Sequence, residues 1–89
     1  MYEFPAAKPD YDFSLIVPAG QNFTAASLMH RYAKENGATH TYSKNGRSIL
    51  NIHGIFYAFD HWTINQNGDG TETVTVYLFD CSHLIEHLM

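Results

Sequence analysis

Cysteine is almost missing from this chain. Cys81 stands alone among 89 residues, so no disulfide can form within it. A single free thiol fits a reducing compartment, and a cytoplasmic location is expected. Positive charge is also scarce. Five Lys and Arg face nine Asp and Glu, a formal net charge of −4. A protein that tracks a phosphate backbone normally shows the reverse balance, so nucleic acid is not an expected partner. No apolar run reaches the roughly eighteen residues of a helical membrane span. The first residues lack a basic stretch followed by an apolar one, so no signal peptide is expected. Phosphate-cradling loops, nucleophile motifs and paired carboxylates at catalytic spacing are missing as well.

Apolar and aromatic residues are plentiful. Hydrophobic residues make up 45% of the chain, with six Phe, six Tyr and one Trp. That suffices for one compact core, and the length allows one domain. Residues 1–11, with Pro5 and Pro9 and no clean period, read as an irregular arm that Tyr2, Phe4 and Tyr11 would pin down. The domain proper is expected over 12–89.

Asp12 to Val17 alternates as a first strand, and Pro18 ends its pairing. A helix follows the Ala19-Gly20 turn, with Asn22 as its expected N-cap. Ala25, Ala26, Met29, Tyr32 and Ala33 form its apolar stripe, and Asn36-Gly37 stops it. Ala38–Tyr42 and Arg47–Asn51 read as a hairpin about Asn45-Gly46, with positive φ expected at both turn residues. In Ile52–Trp62, the residues Ile52, Ile55, Phe56 and Phe59 match a helical stripe, so a short second helix is expected there. Asn65–Gly70 is a loop; its acidic character lacks the ligand spacing of a calcium site. Thr71–Phe79, rich in β-branched residues, reads as an interior strand. Asp80 or Ser82 would then cap a closing helix over Cys81–Met89. The expected order is β-α-β-β-α-β-α.

That order, the strand running into Ala19-Gly20, the Ala25-Ala26 pair and the Asn45-Gly46-Arg47-Ser48 hairpin together resemble the HPr phosphocarrier family of the bacterial sugar phosphotransferase system. The resemblance covers Asp12 to Met89. It implies an α+β, open-faced β-sandwich: a four-stranded antiparallel sheet covered on one face by two longer helices and one short one. In that family a histidine at the first helix start carries a phosphoryl group, with an Arg and a Pro after it. Here those places hold Gln21, Phe23 and Thr24. Gln has no imidazole nitrogen to accept a phosphoryl group, and Phe supplies no cation. The place of the family's regulatory phosphoserine holds His53.

The resemblance therefore implies a catalytically silent module that binds or regulates a protein partner and needs no cofactor. Its docking face would join the two helix starts: Gln21, Asn22, Phe23 and Thr24 beside His53, Gly54, Phe56 and Tyr57. Two alternatives stand beside this. One is a phosphocarrier using a displaced histidine such as His30, His40 or His53. The other is a small metal-binding protein using His83 and His87, four apart on the closing helix, with Cys81 nearby. Two histidines at this spacing do not make a site, so no metal is assigned.

Overall fold

The computed structural model describes residues 9–89; the arm expected at the N-terminus lies, for residues 1–8, outside that range. The elements are β1 (Tyr11–Pro18), α1 (Ala25–Asn36), β2 (Thr39–Tyr42), β3 (Ser48–Ile52), β4 (Ile55–Gln66) and β5 (Thr71–Asp80), then a 3-10 turn (Ser82–Leu84) and α2 (Ile85–Leu88). All five strands form one sheet in the order β1-β5-β4-β3-β2, with every neighbouring pair antiparallel. The expected open-faced sandwich of four strands and three helices is thus not what the chain forms. Among the described residues only α1, with 12 residues, is a substantial helix, and a fifth strand takes the place of the second.

The correction falls on Ile52–Trp62. His53 (φ 52°) and Gly54 (φ 85°) both adopt left-handed backbone, and Ile52 pairs with Ile55 across them. This is the conformation of a two-residue hairpin turn whose twist matches that of its strands. The Asn51 side-chain oxygen accepts the Gly54 N–H at 2.9 Å and fixes the turn. Beyond it, Tyr57 and Phe59 go to the α1 side of the sheet, while Phe56 and Ala58 go to the opposite side. A strand covered on both faces shows no polar alternation and reads as a continuous apolar run. The three-and-four spacing that suggested a helix is a by-product of that double burial.

Two cores result. The larger lies under α1: Leu28, Met29 and Ala33 meet Phe13, Leu15, Val17, Leu50, Val74, Val76 and Leu78. Leu28 belongs to the buried stripe although sequence periodicity passed it over. The smaller core, on the other face, gathers Ile49, Ala58 and Cys81 with Phe56, Phe79, Ile85 and Leu88. Here the closing helix expected over Cys81–Met89, about two turns long, is reduced to a 3-10 turn and one turn of α2. The cause is a set of ties to β4: Cys81 N–H donates to the Phe56 carbonyl at 2.8 Å, and Phe56 N–H donates to Ser82 Oγ at 2.9 Å. Asp80 Oδ1 also accepts from Ser82 N–H at 2.9 Å, so the chain folds back before a helix can lengthen.

Helix α1 begins two residues later than Asn22 predicts. Thr24, in extended backbone, is the N-cap: its hydroxyl accepts from Ser27 N–H at 3.1 Å, and Ser27 Oγ accepts from Thr24 N–H at 3.0 Å. This reciprocal capping box satisfies two donors at once, which a lone Asn22 cannot do. The β2–β3 turn departs in a smaller way. Only Gly46 (φ 83°) is left-handed, not Asn45. Ser43 Oγ instead accepts from Asn45 N–H at 3.3 Å and from Arg47 N–H at 3.0 Å, which builds a wider loop.

Strand β4 is unequal along its length. Ile55–Ala58 pairs with β3 on one side, and Tyr57 onward pairs with β5 on the other. At Phe59/His61 the register with β5 shifts, leaving Asp60 as the extra residue of a bulge. Below the bulge β3 is gone, because the Ser43–Arg47 loop has turned the chain toward β2. From His61 to Gln66, β4 has β5 on one side and, among the described residues, no strand on the other.

Candidate functional site

The predicted docking face is not assembled. Gln21 and Asn22 lie exposed in the loop before α1, and Phe23 leans edge-on against Trp62 with ring centroids 5.0 Å apart. Thr24 is occupied as the cap. His53 and Gly54 sit in the β3–β4 turn, Phe56 is half-buried in the smaller core, and Tyr57 is buried under α1. Trp62 marks the level of the first group on β4, and Ile55 that of the second. Seven residues of strand separate them, roughly 23 Å at ~3.3 Å each. The two halves thus lie toward opposite ends of the sheet. The second helix start that was to unite them is a hairpin.

What the fold does bring together is the start of α1, the β2–β3 turn and the open margin of β4. Thr24, Ala26, Arg47, Ser48, Phe59 and Asp60 line a cleft of about 540 Å³ there. The cleft exists because β3 stops while β4 continues. Directly below it the backbone of β4 is exposed at the sheet edge. Asn67 N–H donates to the Thr71 carbonyl at 3.1 Å, so the odd residues of this stretch bond across to β5. Antiparallel bonding alternates along a strand. The N–H and C=O groups of Trp62, Ile64 and Gln66 therefore point outward, where no strand of the described residues lies beside them. Sequence reasoning missed this edge because it assigned Ile52–Trp62 to a helix. The available signal was length: β4 has 12 residues and β3 only five, so one must outrun the other.

The electrostatics of this region are mild. Asp60 and His61 form a side-chain contact at 2.7 Å, and the His61 ring stacks on Tyr77 with centroids 4.6 Å apart. The sheet face below is polar, with Ser14 and Thr75 hydroxyls bonded at 2.9 Å. Compared with known proteins, the chain matches no family model, no curated protein and no solved structure. The site must be read from its own geometry.

The histidines and the thiol do not converge on that edge. His83 lies in the 3-10 turn and His87 in α2, both exposed, while Cys81 is fully buried. Burial pushes the Cys81 thiol above its ordinary range, which keeps it protonated and a poor nucleophile or ligand. Among the described residues, no three or more His, Cys, Asp or Glu side chains gather so as to hold a metal ion. His30 and His40 do meet, at 5.7 Å between centroids, where α1 packs over β2. Burial first, and then the charge of His30, holds His40 below the ordinary imidazole value. Far from these, burial and a hydrogen bond with Tyr11 push the Tyr32 phenol up to about 12, so that pair acts as a structural tie between β1 and α1. Among the described residues no helix is long and apolar enough to cross a membrane.

Proposed function

We propose that the chain acts by binding protein, not by chemistry of its own, and that it binds an extended segment along the open margin of β4. The observation that carries this is the row of outward backbone groups at Trp62, Ile64 and Gln66 beside an accessible cleft. A segment laid there gains main-chain hydrogen bonds for affinity, while alternate side chains enter neighbouring pockets for selectivity. Phe59 and Arg47 in the cleft offer one apolar and one cationic contact to the residues that run past the bulge. The partner role first inferred from the phosphocarrier resemblance is kept as protein binding, but moved from a pair of helix starts to a strand edge.

Selection of displayed peptides against the folded protein tests this, followed by amide shift mapping of the selected peptides. The expected result is shifts centred on Trp62, Ile64 and Gln66 and on the cleft, lost when the peptide's bonding amides are N-methylated. Selected peptides that consistently map to another face, or that tolerate methylation throughout, would contradict the proposal.

A further inference from the structure

The sheet has two long edges, and they are not equivalent. On β1 the even residues point their backbone groups outward, and one of these is already taken: the Arg31 guanidinium donates to the Ile16 carbonyl at 3.0 Å. Asp12 adds a negative charge to that edge, which would face its own kind in close self-pairing. The β2 edge is only four residues long. Among the described residues, the lower margin of β4 carries no such protection between His61 and Gln66. Its bulge at Asp60 bounds the edge without covering it.

The side chains along this margin fit a copy of themselves. Set two β4 strands antiparallel about a two-fold axis through Thr63. The outward backbone groups of Trp62 then meet those of the copy's Ile64, and the reverse, as hydrogen-bonded pairs. On the α1 side of the sheet this puts Trp62 beside an Ile64 twice over. On the polar side it puts Thr63 beside Thr63. Aromatic with β-branched, and Thr with Thr, are favourable cross-strand pairs. His61 falls opposite Asn65 and Asp60 opposite Gln66, so no like charges meet. Ile64, 43% exposed in the single chain, gains an apolar neighbour. Phe23, resting on Trp62, places the loop before α1 close to the same junction.

Resting on the strand-edge reading above, we infer that the segment this margin takes is the β4 of a second copy, joining the two sheets through a six-strand run, β1-β5-β4-β4-β5-β1, with the two α1 helices on the same face. A strand pair this short buries less than the ~1,200 Å² of a standard stable interface, so the dimer forms and dissociates readily with concentration.

Sedimentation velocity of the full chain from micromolar to millimolar concentration tests this, with amide exchange read across the same range. Wild type shifts from monomer toward dimer as concentration rises, and the Trp62 and Ile64 amides gain protection with it. Ile64→Pro removes an outward N–H without touching a bond to β5. Ile64→Lys puts a charge at each Trp62 contact. Each weakens association by at least about tenfold while amide spectra show the fold kept. Ile16→Lys, on the β1 edge, leaves association unchanged. A chain that stays monomeric at millimolar concentration overturns the inference. So does a dimer that is indifferent to both Ile64 variants but abolished by Ile16→Lys. If the chain stays monomeric while selected peptides still shift Trp62, Ile64 and Gln66, only the choice of occupant has failed. If neither copy nor peptide engages those amides, the strand-edge reading fails with it.

Discussion

The two halves of β4 belong to one strand but live in different surroundings. From Ile55 to Ala58 the strand pairs with β3, and from Tyr57 also with β5, with α1 over one face and the C-terminal turn and α2 over the other. From His61 to Gln66 it has, among the described residues, one neighbouring strand, one polar face and one open margin. The first half is the part that specifies the fold. The second is held straight by β5 alone and leaves its bonding capacity unused. The Asp60 bulge separates them and exchanges which residues face β5. The comparison shows how a small sheet can be well packed at one end and adhesive at the other.

The sharpest way to break this comparison is to make the same kind of cut in each half. Leu50, fully buried against the upper part of β4, should lose about 2–5 kcal/mol on Leu50→Ala. Ile64→Ala in dilute solution should cost below about 1 kcal/mol, because Ile64 is already 43% exposed. Urea unfolding of both variants decides it, and equal losses would erase the distinction. Next in size is the cap that fixes α1 beside the lower half. Thr24→Ala removes one side of a reciprocal box and should cost about 1 kcal/mol in the same assay, whereas Asn22→Ala should be nearly silent. A larger effect at Asn22 would return the helix start to its sequence-based place.

Smaller effects sharpen the upper half. His53 holds φ 52° in the two-residue turn, a strained conformation for a residue with a Cβ. His53→Gly should raise stability by about 0.5–1 kcal/mol, with part of the relief offset by the added freedom of Gly in the unfolded chain. A loss of stability would argue against the hairpin. The smallest effect concerns pH. Burial, and then His30, lowers the folded value of His40 below its ordinary 6.5. The unfolded chain therefore takes up this proton first as pH falls. The contribution is complete above about pH 6.5 and is lost as pH drops through the lower folded value. Between pH 7.5 and 5 the urea midpoint should fall more steeply in wild type than in His40→Gln, and equal slopes would contradict this.

How much of this could be read from the residues follows burial pattern. β1 and β5 alternate, since the sheet face opposite α1 is largely polar along them, Ile16 and Phe79 apart, and both were legible. So was the end of α1 at Asn36-Gly37, where Gly37 adopts φ 71° and its N–H returns to Ala33. Ile55–Phe59 was not, because both of its faces are apolar and period two disappears. The His53-Gly54 turn added to the difficulty: His is an unusual occupant of a position that commonly takes Asn or Asp. Misreading that one segment turned a strand into a helix, lowered the strand count by one and created a docking face from residues that the fold keeps apart. The margin of β4 was invisible for the same reason, since an edge exists only once the strands are known.

Amide hydrogen exchange on the dilute, monomeric chain would reveal the division of β4 at Asp60. Alternation is expected below the bulge, with the Thr63 and Asn65 amides protected by β5 and the Trp62, Ile64 and Gln66 amides exchanging fast. Above the bulge, Tyr57 and Ala58 should both be protected, one by each neighbouring strand. Unbroken protection from His61 to Gln66 in the monomer, or helical sequential contacts through Ile55–Phe59, would contradict it.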